Sequence, residues 1–173
     1  GFFKEKNIHI VPSAVDAVYT SETLLKDILI DNGYDRIKIG LISRNYPHKI
    51  LKILPEVKKI LKRQFKFDAE FYVTFTEEEF LTCSDDFQSS INNVGPLKLD
   101  QCPSFYKQMD AVVFPSLLEC FSAVPIETMV MRKPLFASNL PFIHDCSGNY
   151  ANYFDPLDAY SIANSISSFF NRK

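Results

Sequence analysis

The sequence lacks the features that would assign it to two common classes of protein. Its 173 residues carry 19 basic and 21 acidic side chains, a formal net charge of −2. It therefore has no basic excess of the kind that nucleic-acid-binding domains usually carry. No apolar run reaches the roughly 20 residues that cross a membrane. Composition thus argues against a nucleic-acid partner and against a membrane-spanning protein.

Cysteine is scarce and shows no metal-binding pattern. The four cysteines lie far apart in the chain, without C-x-x-C spacing, at positions 83, 102, 120 and 146. This scatter favours free thiols over a disulfide framework or a zinc site. Residues 1–6 lead into a strand-like run rather than a signal-peptide pattern. We therefore expect a cytoplasmic protein.

The chain instead contains an alternation of β-rich runs and helical patterns. Strands are predicted at 37–43, 69–75, 111–114 and 135–138, and helices at 21–31, 48–64, 103–109, 126–131 and 159–170. A further helix begins near residue 77, and residues 84–90 are predicted to be a loop. Strand and helix in alternation indicate an α/β fold with a parallel sheet and helices on both faces.

Residues 114–131 are the most informative stretch, because a buried strand ends there and a helix follows. Ser122 is a good N-cap and Pro125 suits a first helical turn, whose free amides attract phosphate. Glu119 and Glu127 flank this turn, and carboxylates accept hydrogen bonds from hydroxyls. The combination predicts a site for a sugar joined to a phosphate. A solvated Glu119 and an ordinary first-turn Glu127 would give the same pattern.

A second candidate site follows the strand at 37–43. Arg44 and Lys49 leave its carboxyl end, where parallel α/β sheets keep their ligands. A guanidinium fork and an ammonium point charge together suit a diphosphate. Two solvated loop charges are the alternative interpretation.

Residues 115–129 resemble the signature of retaining nucleotide-sugar glycosyltransferases with the GT-B fold, the family 4 type. That signature reads P-S-x-x-E-G-F-G-x-x-x-x-E-A-M, and this chain matches it at Pro115, Ser116, Glu119, Phe121, Glu127 and Met129. Cys120 and Ser122 stand where glycines are usual, and Thr128 where alanine is usual. Weaker similarity extends over most of the chain, including Tyr106 and Asp110. We expect Phe105 and Tyr106 to lie in the core.

The resemblance implies a Rossmann-like parallel sheet that forms one half of a two-domain GT-B enzyme. Its substrate would be a nucleotide-diphosphate sugar, with no cofactor and no obligatory metal. Arg44 and Lys49 would neutralise the leaving diphosphate, and Glu119 would bind sugar hydroxyls as the third catalytic residue. Glu127 would bind the ribose hydroxyls.

The resemblance also implies donor contacts made largely by the main chain. The backbone near the nucleobase and the amides near the phosphate or sugar would belong to Val94, Gly95, Phe121, Ser122, Ala123 and Val124. Main-chain contacts leave little trace in side-chain identity, so the sequence itself adds nothing to these assignments.

The resemblance further implies how the chain is organised. Residues 1–20 would be an interdomain strand and linker, residues 21–173 the nucleotide-sugar-binding domain, and the N-terminal acceptor domain would be absent. The chain alone would then bind nucleotide without transferring sugar. The acceptor would be a saccharide or a lipid-linked molecule in polysaccharide or lipopolysaccharide synthesis. A basic helix face at 48–64 allows peripheral contact with the inner face of a membrane, or simply a solvated surface.

Two other functions stay open at this point. One is half of a nucleotide-sugar epimerase, which also uses Rossmann-like halves and carboxylates near the sugar. The other is a nucleotide-binding module that has lost its chemistry, with Cys120 and Ser122 as the trace of that loss.

Overall fold

The protein folds into one parallel sheet with helices on both faces. The structure, a computed structural model, describes residues 14–21, 26–30 and 36–172. The strands are β1 (Ile37–Leu41), β2 (Ala69–Val73), β3 (Ile91–Asn93), β4 (Ala111–Phe114), β5 (Leu135–Ser138) and β6 (Asn152–Phe154). The helices are α1 (Leu54–Gln64), α2 (Glu77–Leu81), α3 (Asp85–Ser90), α4 (Cys102–Gln108), α5 (Ala123–Val130), α6 (Pro141–Ser147) and α7 (Ala159–Phe170).

The strand order is β3-β2-β1-β4-β5-β6, and every neighbouring pair is parallel. The chain first builds outward from β1 to β3, and then crosses back to place β4 on the other side of β1. Ile39 of β1 aligns with Phe71 of β2 and with Ala111 of β4. The point where the order reverses lies between β1 and β4, and open α/β sheets bind ligands at such points.

Burial follows from the covered faces of the sheet. All residues of β4 and β5 are buried, as expected for strands with helices on both sides. On one face α1 packs against α7 and α3, while α5 packs against α6, β4 and β5 in a separate group. The predicted α/β class, parallel sheet and helix layers are confirmed.

The predicted helix at 48–64 was too long at its start. The α-helix begins at Leu54, after two 3₁₀ turns at Pro47–Lys49 and Leu51–Ile53. Pro55 explains the boundary, because proline fits a first helical turn but breaks a helix interior. Ile50 between the two turns has φ +49°, which also interrupts regular helix.

The predicted helix at 21–31 is wrong where the structure describes it. Residues 26–30 are not helical, and Leu29, which an amphipathic helix here would bury, is exposed. The backbone N–H of Ile30 donates to the Gln108 side chain at 3.0 Å, and Gln108 Nε2 donates to the Ile28 carbonyl at 2.7 Å. Side chains of α4 thus satisfy a backbone that the sequence pattern assigned to internal helical hydrogen bonds.

The predicted loop at 84–90 is largely helix α3. Ser84 caps it by accepting a hydrogen bond from the Phe87 N–H, and acidic residues fill its first turn. Phe87 is buried and stacks on Phe75 with ring centroids 5.9 Å apart. The segment was predicted to be a loop because it is mostly polar, and the prediction overlooked the one aromatic residue, Phe87, that anchors the helix in the core. Helix α6 and strand β6 were also not predicted.

Two further expectations can be placed only in part. The interdomain strand and linker were predicted in residues 1–20. Residues 1–13 lie outside the described residues, and Ala17–Tyr19 form a 3₁₀ turn. On the basic face of the 48–64 segment, Lys58 donates to Glu70 at 2.6 Å and Lys59 to Asp86 at 2.7 Å, so these two charges are already paired. Among the described residues, no helix is long and apolar enough to span a membrane.

Gly40 in β1 allows α4 to lie close to the sheet. A Cβ at this position would stand 2.6 Å from Met109 Cγ and 2.7 Å from Phe105 Cε1. Both side chains are almost fully buried. The absence of a side chain in the middle of β1 therefore sets how deeply α4 packs.

We predict that Gly40→Ala lowers the free energy of unfolding by about 1–3 kcal/mol, through overpacking. Urea denaturation followed by circular dichroism measures the loss. Met109→Ala should cost less in the Gly40→Ala background than alone, because it removes the clashing atoms. Equal costs of Met109→Ala in the two backgrounds would contradict a steric origin.

Candidate functional site

The carboxyl ends of β1 and β4 bring Lys49 and Glu119 together. The two side chains form an ion pair between Lys49 Nζ and Glu119 Oε1, and each is about nine-tenths buried. Lys49 Nζ also lies 4.6 Å from the centroid of the Phe114 ring, the last residue of β4. Two residues that the sequence assigned to one catalytic site, 70 positions apart, are therefore in direct contact.

Several contacts hold the two loops in this arrangement. The Leu117 N–H donates to the His48 carbonyl at 2.8 Å, which joins the loop after β4 to the turn after β1. Ser116 Oγ donates to Glu119 Oε1 at 2.8 Å, and His48 Nε2 lies 3.7 Å from the same oxygen. The contacts that Lys49, Ser116 and His48 make with Glu119 all use Oε1. The other carboxylate oxygen, Oε2, makes none of them.

Arg44 has a different partner. Its Nε donates to Glu79 Oε2 at 2.8 Å, and its side chain is half exposed. Burial opposes ionisation of Glu79, but hydrogen bonds from Thr76 and Arg44 outweigh it and lower the pKa of that carboxyl below its usual range. Arg44 is thus held by a firmly ionised carboxylate on α2, which the sequence did not indicate.

Glu127 lies on α5 and meets a buried tyrosine. The hydroxyl of Tyr106 on α4 donates to Glu127 Oε2 at 2.8 Å. Tyr106 is fully buried. Burial raises its pKa well above the usual value, and the Glu127 carboxylate raises it further, so Tyr106 remains a proton donor at neutral pH. The sequence placed Tyr106 in the core and did not connect it with Glu127.

The start of α5 keeps its amides free of a side-chain cap. Ser122 occupies the N-cap position, as predicted, but its side chain makes no capping hydrogen bond. Its φ of −129° is ordinary extended backbone, so no glycine is needed there for conformational reasons. Ala123 and Val124 form the first turn, and Val124 is buried.

A cavity of about 360 Å³ lies beside this turn. Glu119, Phe121 and Ser122 line one side of it, and Phe142 and Asp145 of α6 line another. Phe121 is half exposed. Carboxylates among apolar walls suit a small polar ligand with an apolar face, such as a sugar ring. Sequence reasoning found the first side of the cavity, but it did not predict α6.

Val94 and Gly95 follow the edge strand β3. The Val94 N–H donates to the Val73 carbonyl at 2.9 Å, and Gly95 takes φ +85°, a conformation that favours glycine. The strand order puts two strands between them and β4. They are therefore separated from Glu119 and lie toward one side of the ligand-binding edge.

Comparison with known proteins places this geometry in a family. The model of a family described as glycosyl transferases group 1 matches residues 36–172, which include the whole sheet. The chain belongs to the glycosyl transferases group 1 family. Every described residue that the sequence assigned to the site lies within the part that matches.

Individual relatives of this family member are distant. The O-antigen chain mannosyltransferase RfbU of Salmonella typhimurium is 27% identical over 81 residues, which are 47% of this chain and 23% of RfbU. A mutant of S. aureus TarM, crystallised with Fondaparinux, alpha-GlcNAc-glycerol and UDP, superposes with a TM-score of 0.64 at 16% identity, covering 84% of this chain and 31% of TarM.

A third relative shares the fold. An alpha,alpha-trehalose-phosphate synthase (UDP-forming) from Burkholderia vietnamiensis superposes with a TM-score of 0.63 at 11% identity, covering 80% of this chain and 38% of the synthase. This glycosyl transferases group 1 chain therefore spans between about a quarter and two fifths of the length of these relatives.

The two cations of the site should differ in their effect on stability. We predict that Lys49→Met lowers the free energy of unfolding by about 3 kcal/mol, because it leaves the Glu119 charge buried and unpaired. Arg44→Met should cost less than about 1 kcal/mol, because its ion pair is exposed. Urea denaturation of both variants tests this, and equal losses would contradict the burial argument.

The buried tyrosine should make the fold sensitive to alkali. The folded pKa of Tyr106 lies above its unfolded value near 10, so its stabilisation is complete below pH 10 and is lost above it. We predict a fall of about 1.4 kcal/mol per pH unit above about pH 10 for this group. Urea midpoints between pH 8 and pH 11 measure it. Tyr106→Phe should show a shallower fall, and an unchanged slope would refute the assignment.

Proposed function

We propose that this chain is the donor-binding domain of a retaining glycosyltransferase of the family 4 type, and that it binds a nucleotide-diphosphate sugar. The observation that carries the proposal is the contact between Lys49 and Glu119 at the point where the strand order reverses. A cation for phosphate and a carboxylate for hydroxyls stand side by side, as a ligand containing both groups requires. Family membership supports the same reaction class.

In this proposal the donor's diphosphate replaces the Glu119 carboxylate as the counter-charge of Lys49. Lys49 and Glu119 neutralise each other before binding, so neither charge is left buried without a partner. When the donor arrives, phosphate oxygens become the counter-charge of Lys49. Sugar hydroxyls donate to Glu119, whose Oε2 is not engaged by Lys49, Ser116 or His48. Lys49 would then stabilise the charge that develops on the leaving diphosphate.

The remaining groups would complete the donor site. The uncapped amides at the start of α5 are suited to a phosphate or sugar oxygen. Arg44 would move from Glu79 to the diphosphate, which is feasible for a half-exposed side chain on a loop. Glu127 would accept hydrogen bonds from the ribose hydroxyls, and Val94 and Gly95 would lie beside the nucleobase. The donor serves as substrate, and the proposal includes no cofactor.

The setting of the whole protein is part of the proposal. RfbU is named as an O-antigen chain mannosyltransferase, which favours polysaccharide or lipopolysaccharide synthesis with a saccharide or lipid-linked acceptor. We propose that the acceptor is bound by a domain outside these residues, and that the enzyme works in the cytoplasm. Peripheral membrane contact would rest on Lys52, Lys62 and Arg63, the basic residues of the α1 segment that form no ion pair among the described residues.

Calorimetric titration with UDP, GDP, ADP and the matching monophosphates tests the proposal. We predict that one diphosphate binds more tightly than its monophosphate. Lys49→Ala and Glu127→Ala should each weaken that binding by about 10- to 100-fold, the usual effect of losing a charge-assisted hydrogen bond. Arg44→Ala should weaken it less, because Arg44 is more exposed.

Lys59→Ala is the matched control, since it removes a lysine whose ion pair with Asp86 lies on the surface. It should leave nucleotide affinity unchanged. Failure of every diphosphate to bind, or equal losses in Lys49→Ala and Lys59→Ala, would contradict the donor site. Sugar transfer by the 173-residue chain alone would contradict the proposal that a further domain binds the acceptor.

A further inference from the structure

One hydroxyl group in the core is directed at the site rather than at the backbone. Tyr106 is fully buried, and its hydroxyl donates to Glu127 Oε2 at 2.8 Å. Its neighbour Phe105 is equally buried without a hydroxyl. Phe105 packs in a different hydrophobic cluster from Tyr106, and of these two neighbours Tyr106 is the one that contacts Glu127. A buried tyrosine hydroxyl needs a partner, and the partner in this structure is a carboxylate of the proposed donor site.

The surroundings of this contact are rigid. Tyr106 belongs to the main hydrophobic core, and the ring of Tyr19 lies 6.1 Å from its own ring. Burial and the Glu127 carboxylate both raise the pKa of Tyr19, so this second phenol also stays protonated. On the helix that carries Glu127, Thr128 is buried and its hydroxyl donates to the Val124 carbonyl at 2.6 Å. The donor that meets Glu127 thus has little freedom to move.

A glutamate side chain has three rotatable bonds, and a ligand that binds it must ordinarily restrict all of them. A fixed donor on one carboxylate oxygen restricts them before the ligand arrives, which improves affinity without a new ligand contact. We propose that Tyr106 is a positioning residue that holds the Glu127 carboxylate in the orientation that accepts ribose hydroxyls. This inference rests on the proposed function, because it assumes that Glu127 faces a ribose.

The test compares ribose recognition in the wild-type chain and in Tyr106→Phe. The probes are the nucleoside diphosphate that binds best among UDP, GDP and ADP, its 2′-deoxy form, and pyrophosphate. We expect wild type to prefer the ribonucleotide by about tenfold. Tyr106→Phe should reduce this preference to about twofold or less, while its affinity for pyrophosphate stays unchanged.

Tyr150→Phe is the matched control, because Tyr150 also loses a hydroxyl, one that donates to the Lys133 carbonyl at 3.0 Å. It should keep the full preference for ribose. A Tyr106→Phe variant that keeps the preference would overturn the inference. So would equal losses of affinity for all three probes, since these would indicate general damage to the fold.

A measurement on the wild-type protein keeps the inference testable if Tyr106→Phe fails to fold. The buried Tyr106 hydroxyl proton should give its own NMR resonance, assigned through its ring. We expect this resonance to shift when the ribonucleotide binds, and to stay in place with pyrophosphate. No shift with the ribonucleotide would overturn the inference. A wild-type chain that binds diphosphates without any ribose preference would instead refute the role proposed for Glu127.

Discussion

β1 and β4 are neighbours in the sheet although four helices and two strands separate them in the chain. This single adjacency brings the loop that carries Lys49 against the loop that carries Glu119. Neither charge would be stable alone at such burial, and each is tolerated because the other is present. The site is therefore a property of the sheet order. A change that separated β1 from β4 would remove the ion pair.

The ion pair also explains how the Lys49 ammonium can be buried at this edge of the sheet. The proposed diphosphate site would have to hold positive charge, and buried positive charge without a partner is costly. Here one carboxylate from the same site neutralises Lys49, and another from α2 neutralises Arg44. A ligand with a single weak charge gains little by displacing two carboxylates. In the proposed donor site this arrangement would favour ligands of higher charge, a form of selectivity that needs no contact with the base or the sugar.

The sequence could predict the sheet and the residues with charges, because both leave clear local signals. The alternation of strand and helix patterns predicted the fold class. The charged side chains of the site were predicted because their residue type alone indicates what they can bind; these are Arg44, Lys49, Glu119 and Glu127. Partners were harder to predict. Nothing local marks Glu79 as the counter-charge of Arg44, since Arg44 lies on the loop after β1 and Glu79 on α2, 35 positions away. Tyr106 was predicted to lie in the core, and it does. Its hydrogen bond to Glu127 depends on how α4 lies relative to α5, which the sequence does not show.

Two predicted helices, at 48–64 and at 21–31, were wrong in extent or in kind, and the structure shows the physical reason for each. Pro55 lies in the first turn of α1, where proline is favoured, but the prediction of a helix from residue 48 placed it in the helix interior. The helix at 21–31 was predicted from its spacing of apolar residues. The backbone N–H groups of Ile28 and Ile30 instead donate to the side chains of Ser104 and Gln108, a tertiary contact that no local pattern contains.

Gly40 makes no contact with any proposed ligand, yet it determines where α4 lies against β1. Because Tyr106 lies on α4, the glycine at position 40 also affects the position of the Tyr106 hydroxyl relative to Glu127 on α5. The middle of β1 is thus linked through α4 to Glu127, which lies in the proposed nucleotide site. A larger residue at position 40 would push α4 away from β1. It would alter ligand recognition from inside the core, without altering any group that the ligand contacts.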